Sequence, residues 1–134
     1  MAADAAQRAT ALDAMAHNRL LIGLYREAIE LDGQLLQLRP AWKQPRRRRV
    51  VGFLRLDRGA EAVAAAKALL DLDPGDHLSQ RFLAVARRYA RLRAGLGESP
   101  PQQALVALDA LTNRLPLVGI PADGSTADDA GGSR

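Results

Sequence analysis

Apolar positions recur along this chain at helical intervals, separated by short polar or glycine- and proline-containing breaks, and the pattern predicts about six helices. The first spans about Asp4 to Ile22, with Leu12, Met15, Arg19 and Ile22 on one period, and Gly23 supplies the turn. The second runs from about Leu24 to Leu38 and buries Ala28, Leu31, Leu35 and Leu38. Pro40 ends it, because the residue before a proline is pushed out of helical geometry. A third helix starts near Pro45, a tolerated first-turn position, and continues to Leu56, with Arg58-Gly59 as the next turn. The alanine-rich stretch from Ala60 to Leu72 predicts a fourth helix that neighbouring backbones can approach closely. Asp76 is placed to cap a fifth helix, His77 to Ala94, by accepting bonds from first-turn amides, and Gly95 and Gly97 stop it. Ser99-Pro100 opens a sixth, with Leu105, Leu108, Leu111 and Leu115 on one face. The stretch from Gly119 to Arg134 is rich in Gly, Ser, Ala and Asp and has little to bury, which predicts disorder. The chain thus divides into a helical domain over 1–118 and a disordered tail over 119–134.

Composition narrows this further. The 134 residues suffice for one core, and the 48% apolar share is mostly Ala and Leu, with two Phe, two Tyr and one Trp. Such residues favour an all-α fold packed through small side chains. The absence of cysteine removes disulfides, thiolate catalysis and Cys-based zinc sites. Met1 to Met15 carry Asp4, Arg8 and Asp13 and no continuous apolar run, so neither a signal peptide nor a membrane span is expected, and the cytoplasm is the expected compartment. The formal charge of +4 is unevenly placed: Arg46 to Arg49 form one group, and Arg81, Arg87, Arg88, Arg91 and Arg93 another. Net charge alone does not choose among nucleic acid, anionic lipid and acidic protein segments as partners.

A repeat is more informative. Arg26-Glu27-Ala28-Ile29 leading to Leu38-Arg39-Pro40 is followed by Ala60-Glu61-Ala62-Val63 leading to Leu72-Asp73-Pro74, and Pro40 to Pro74 is 34 residues. That period, with a small residue near the helix crossing and a closing proline, resembles the tetratricopeptide (TPR) helix-turn-helix unit. The resemblance covers about Ala9 to Ala94, placing Ala28 and Ala62 at crossings, Phe53 at the first-helix aromatic, Ala16 at an earlier small position, and Leu83 and Ala84 in a third unit. Arg49 stands where a large apolar residue is usual and Ala66 where a bulky one is, so the second unit is degenerate. The resemblance implies a right-handed superhelix of antiparallel helix pairs with a solvating C-terminal cap helix.

In that frame the first helices of the units line a concave groove, and His17, Arg47, Val51, Leu54, Arg81, Val85 and Arg88 face it as candidate partner-binding residues. Apolar positions there supply area and arginines supply forked donors for carboxylates or carbonyls. Val51, Leu54 and Val85 read equally well as core, and the arginines as a solvated face. One TPR subclass grips acidic C-terminal peptides through a Lys/Arg and Asn clamp. Arg47 and Arg81 fall on its basic position, but the Asn position holds His17, Val51 and Val85, which disfavours a heat-shock-protein tail adaptor.

Chemistry is otherwise scarce. Asp71-Leu72-Asp73-Pro74-Gly75-Asp76 has the wrong spacing for a calcium loop. His17 and His77 lie far apart with no ligand-spaced companions, no phosphate-cradling glycine loop exists, and Ser79, Ser99 and Ser125 lack a nucleophile's context. No metal, cofactor or catalytic residue is expected, and the chain does not read as an enzyme. The run Arg46 to Arg49 resembles a nucleic-acid tract, but on a helix it points around most of the circumference and no aromatics interleave to stack bases, so nucleic acid is disfavoured. A helix whose arginines pair with neighbouring acids or a protein partner fits better.

Leu20-Leu21-Ile22-Gly23, Leu38-Arg39-Pro40, the Arg46 to Arg49 helix, Gly59 to Ala62 and Asp73-Pro74 are similar to the small cytosolic chaperones of bacterial type III secretion, of the YscY/SctY type, over about Asn18 to Ala94. That likeness implies a hetero-oligomer holding a small export partner of the YscX/SctX type and docking it to the cytosolic domain of the export gate. The long first helix and the tail are not explained by it. A generic TPR scaffold subunit and an arginine-rich nucleic-acid accessory protein stay open beside it.

Overall fold

The computed structural model describes residues 2–96 and 102–113. Among the described residues the fold is all-helical: α1 (Ala2–Leu21), α2 (Tyr25–Leu38), α3 (Lys43–Arg55), α4 (Gly59–Leu72), α5 (His77–Leu96) and α6 (Gln102–Thr112). Each helix packs against the next, and α3 also touches α1, α5 and α6, so α3 is the hub. Gly97, Ser99, Pro100, Leu115 and the tail expected over 119–134 lie outside the described residues, as do the side chains of Leu105 and Leu111.

The backbone repeats itself. Tyr25 and Gly59 begin helices, Lys43 and His77 begin helices, and Leu38 and Leu72 end them, each pair 34 residues apart. Gly23 (φ 86°) and Asp57 (φ 59°), at the same interval, both turn the chain through the left-handed region. The residues that cap α2 and α4, Arg39 (φ −139°, ψ 74°) and Asp73 (φ −156°, ψ 86°), share nearly the same backbone conformation. The turn between α3 and α4 is therefore made at Leu56-Asp57 rather than at Arg58-Gly59; Gly59 is already helical. Asp57 tolerates the left-handed conformation because its short side chain bonds nearby groups instead of clashing with the backbone.

One apolar cluster fills the centre: Ala28 from α2, Val50, Val51, Phe53 and Leu54 from α3, Ala62, Ala66 and Leu69 from α4, Phe82, Ala86 and Tyr89 from α5, and Leu108 from α6. A satellite cluster of Ala9, Leu35 and Trp42 joins α1 to the end of α2. Fully burying a Leu or Phe side chain contributes roughly 1.5–3 kcal/mol, so these positions supply most of the drive to collapse. Ala28 and Ala62 are buried at equivalent points, and Gly52 lies so close to α2 that a Cβ there would stand 2.8 Å from Ile29 Cγ1. Small residues thus set how near α2, α3 and α4 come.

The face of α1 differs from the expected stripe. Met15 and Ile22 are 42% and 60% exposed, whereas Ala9, Asp13, Ala16, His17 and Leu20 are buried. On α2, Asp32 is buried with Ala28 and Leu35, while Leu31 and Leu38 are only half-buried. On α1 the buried stripe is offset by one position from the expected one, and on α2 Asp32 takes the place of Leu31 between Ala28 and Leu35; in both helices a carboxylate, paired internally, holds a core place. Asp76 caps α5 as expected: its Oδ1 accepts from the Leu78 amide at 3.3 Å and its Oδ2 from the Ser79 hydroxyl at 2.5 Å.

Ala62→Leu adds three heavy atoms at a point with no free surface, so unfolding in urea should show a loss of about 1–3 kcal/mol. An unchanged midpoint would place the α3–α4 approach elsewhere.

Candidate functional site

The run Arg46-Arg47-Arg48-Arg49 occupies the first half of α3, each residue about 100° from the last, so the four side chains enter four different surroundings. Arg48 goes inward and is 1% exposed. Its Nε donates to Asp32 Oδ1 and Oδ2 at 2.9 and 3.1 Å, its Nη2 donates to Asp32 Oδ1 at 2.6 Å, and its Nη1 stands 2.8 Å from Asp13 Oδ1. One guanidinium therefore ties α1 and α2 to α3. Its charge is held above its ordinary proton affinity by the two carboxylates, which outweigh burial.

Two carboxylates share that single cation, and Asp32 shows the consequence. Burial, with Asp13's charge adding to it, pushes the Asp32 carboxyl up to about 7, against the pull of Arg48. Beside them His17 is buried, and neither ring nitrogen has a hydrogen-bond partner. Burial first, then the charge of Arg48, lowers its proton affinity, so His17 is a neutral ring in this core.

Arg47 goes the other way, toward the turn between α4 and α5. Its Nη2 lies 3.6 Å from Asp76 Oδ2, and the buried Lys43 ammonium reaches Asp73 Oδ2 at 3.1 Å and Asp76 Oδ2 at 3.7 Å. Arg46 forks onto the Pro40 carbonyl, and Arg49 lies over the Phe53 ring with its Cζ 5.7 Å from the centroid. At the far end of α3, Arg55 pairs with Asp109 of α6. Below it, Tyr89 donates to Asp57 Oδ1 at 2.6 Å and Arg93 Nη2 meets Asp57 Oδ2 at 2.8 Å, locking the left-handed turn to α5. The Tyr89 bond, ahead of Arg93, holds the Asp57 carboxyl below its ordinary value, and burial followed by Asp57 pushes the Tyr89 hydroxyl up to about 12.

The residues expected to line a groove are thus divided. Val51 and Leu54 are fully in the core, and His17 and Arg47 belong to the two buried polar clusters. Arg81 and Arg88 are exposed on α5, with Val85 between them half-buried against the core. The chain's own α6 touches α3, and its Leu108 belongs to the same core cluster as Val51 and Leu54. Only the α5 residues keep an open face. The buried acids Asp13, Asp32 and Asp76 were not singled out as arginine partners from the sequence. The available signal was an acid on an otherwise apolar stripe: Asp13 between Ala9 and Ala16, and Asp32 between Ala28 and Leu35.

The ion pairs of this arrangement brace the helices against one another. The carboxylates near the arginines are spent on ion pairs, and the Ser79–Asp76 contact belongs to the first turn of α5. Among the described residues no group of three or more His, Cys, Asp and Glu side chains is placed to hold a metal ion, and no helix is long and apolar enough to cross a membrane. No known protein family, curated protein or solved structure matches the chain.

Arg48→Met leaves Asp13 and Asp32 buried without their cation and should destabilise the fold by about 3–5 kcal/mol in urea unfolding; a loss under about 1 kcal/mol would mean the clamp is not holding α1 and α2. The pH dependence is also specified. Asp32 has a raised folded-state value, so its contribution is complete below about pH 4 and is lost as pH rises toward about 7. His17 has a lowered one, so its contribution is complete above about pH 6.5 and is lost as pH falls, partly masking Asp32. Relative to Asp32→Asn, the native chain should therefore lose stability between pH 4 and pH 7. Parallel stability curves for the two proteins would contradict the raised Asp32 value.

Proposed function

We propose that the chain is a non-catalytic protein-binding module of the TPR kind, a superhelix of antiparallel helix pairs closed by α6. The observation that carries this reading is the 34-residue recurrence of helix starts, helix ends and left-handed turns. A repeat at that period stacks units that each contact their neighbours and leaves extended surface for another polypeptide. Such surface is present at the helix ends, where Leu21, Ile22, Leu24 and Leu72 are exposed, and on α5.

The partner-binding face in this reading is the α5 stripe of Arg81, Val85 and Arg88, spaced by four and three residues so that they share one side of the helix. His17, Arg47, Val51 and Leu54 then serve the partner indirectly, by fixing α1 and α3 beneath it. Reversing Arg47 would set an acid against Asp76 in a buried cluster and unfold rather than report on binding. Within the TPR class, the reading that the sequence likeness favours is a small type III secretion chaperone of the YscY/SctY type. It would hold an export partner of the YscX/SctX type, as a hetero-oligomer, for delivery to the cytosolic domain of the export gate. A scaffold subunit of another assembly uses the same face. Nucleic-acid binding is weakened by the burial of Arg47 and Arg48, which cannot follow a phosphate track.

Co-expression with a small YscX/SctX-type partner should give a complex that survives size-exclusion chromatography, and Arg81→Glu should weaken it about tenfold while leaving the thermal transition in place. Failure of that partner to co-elute with the folded chain would remove the secretion reading. Full affinity in Arg81→Glu would remove the α5 face.

A further inference from the structure

Between α2 and α4, over the first half of α3, runs an open groove of about 320 Å³. Arg46, Arg49 and Phe53 form its floor, Leu36 stands on the α2 side, and alanines including Ala64 and Ala65 line the α4 side. The small side chains leave the space unfilled. Two cations, Arg46 and Arg49, line it, and among the described residues neither has a carboxylate within ion-pairing distance. Arg46 is steered to its place by the Pro40 carbonyl, which accepts from Nε and Nη2 at 3.2 and 3.0 Å but leaves the charge uncompensated. Arg49 rests on the Phe53 ring, and its Nε–H is shielded from solvent with no hydrogen-bond partner.

Among the described residues no carboxylate lies within ion-pairing distance of either arginine. Glu61, at the rim, is held by both Nε and Nη2 of Arg58 at 2.6 Å. Burial, and then the charge of Arg49, lower the proton affinity of Arg46, as two neighbouring unpaired cations require. The contrast with Arg48, on the same helix, is direct: there two carboxylates close the guanidinium, whereas among the described residues none lies within ion-pairing distance of Arg46 or Arg49, and Arg49 feels only the more distant charge of Asp32.

We propose that this groove is a binding site for a small carboxylate carried on an apolar chain. The carboxylate bridges Arg46 and Arg49, whose forked donors match its geometry, and the apolar chain lies along Leu36 and the alanines of α4. At about 30 Å³ per water-sized group, the volume takes on the order of ten non-hydrogen atoms, the size of a medium-chain acid rather than of a folded segment. The site shares no residue with the α5 stripe, so it stands whether or not a protein partner binds there.

The test is calorimetric titration of the full chain with octanoate, with octan-1-ol as the uncharged control, at pH 7 and fixed ionic strength. Octanoate should bind and octan-1-ol should not. Arg46→Gln and Arg49→Gln should each weaken octanoate about tenfold or more, the effect of losing one charge-assisted bond. Ala64→Phe, at an exposed position of α4, should fill the groove and abolish binding with both arginines retained. Unliganded thermal transitions show whether each variant is folded, and Ala64→Phe keeps the test intact if an arginine variant is not. No octanoate binding to the native chain, equal binding of octan-1-ol, or unchanged affinity in folded Arg49→Gln or Ala64→Phe would overturn the proposal.

Discussion

A single guanidinium, held between carboxylates from two other helices, is the constraint on which the first half of the structure depends. Arg48 is the largest fully buried side chain among the described residues, and it reaches Asp13 on α1 and Asp32 on α2 from its place on α3. Moving three charged groups out of water is unfavourable, and only the short forked bonds offset it. The cation is met by one carboxylate from α1 and one from α2, so the clamp joins three helices. With two acids to one base, the cluster also carries surplus negative charge, which burial resolves by raising the proton affinity of Asp32. The neutral His17 beside it adds bulk without adding a cation.

Around that clamp, α3 is organised in two halves. Its first half is basic and meets acids on both sides, through Arg48 toward α1 and α2 and through Lys43 and Arg47 toward the α4–α5 turn. Its second half is apolar and supplies Val50, Val51, Phe53 and Leu54 to the core. The polar half reaches its partners because the helices are close, and they are close because Gly52, Ala28 and Ala62 hold the places of contact. Packing and electrostatics are therefore coupled, since a larger residue at a crossing would lengthen the buried ion pairs as well as strain the core.

The same helix separates the surfaces available to other molecules. On the side of α5 and α6, Val51 and Leu54 are covered by the chain itself, and the open positions shift to the α5 stripe. On the side of α2 and α4, alanines leave a groove over Arg46 and Arg49. The four consecutive arginines thus have unlike roles, two closed by internal acids and two facing open space, a division set by helical geometry at about 100° per residue.

Much of the architecture was legible in the chain as written. Breaks in the periodicity located the first five helices to within two residues at each end, because such breaks are local events. The interval from Pro40 to Pro74 carried the repeat, and Asp76 declared its cap, since a cap needs only its own first turn. The expected groove was less legible. His17, Arg47, Val51 and Leu54 carry the residue types of a binding groove, yet their burial depends on which segments lie over them, and Asp13 and Asp32 acquire meaning only beside Arg48. The sequence by itself determined an all-α fold with a 34-residue repeat, small residues at its crossings and an arginine-rich helix at its centre. Tertiary structure alone decided which arginines are closed by acids and which stay open, because a guanidinium's environment is set by helices distant in sequence, and pairing across them is a property of distance rather than of order along the chain.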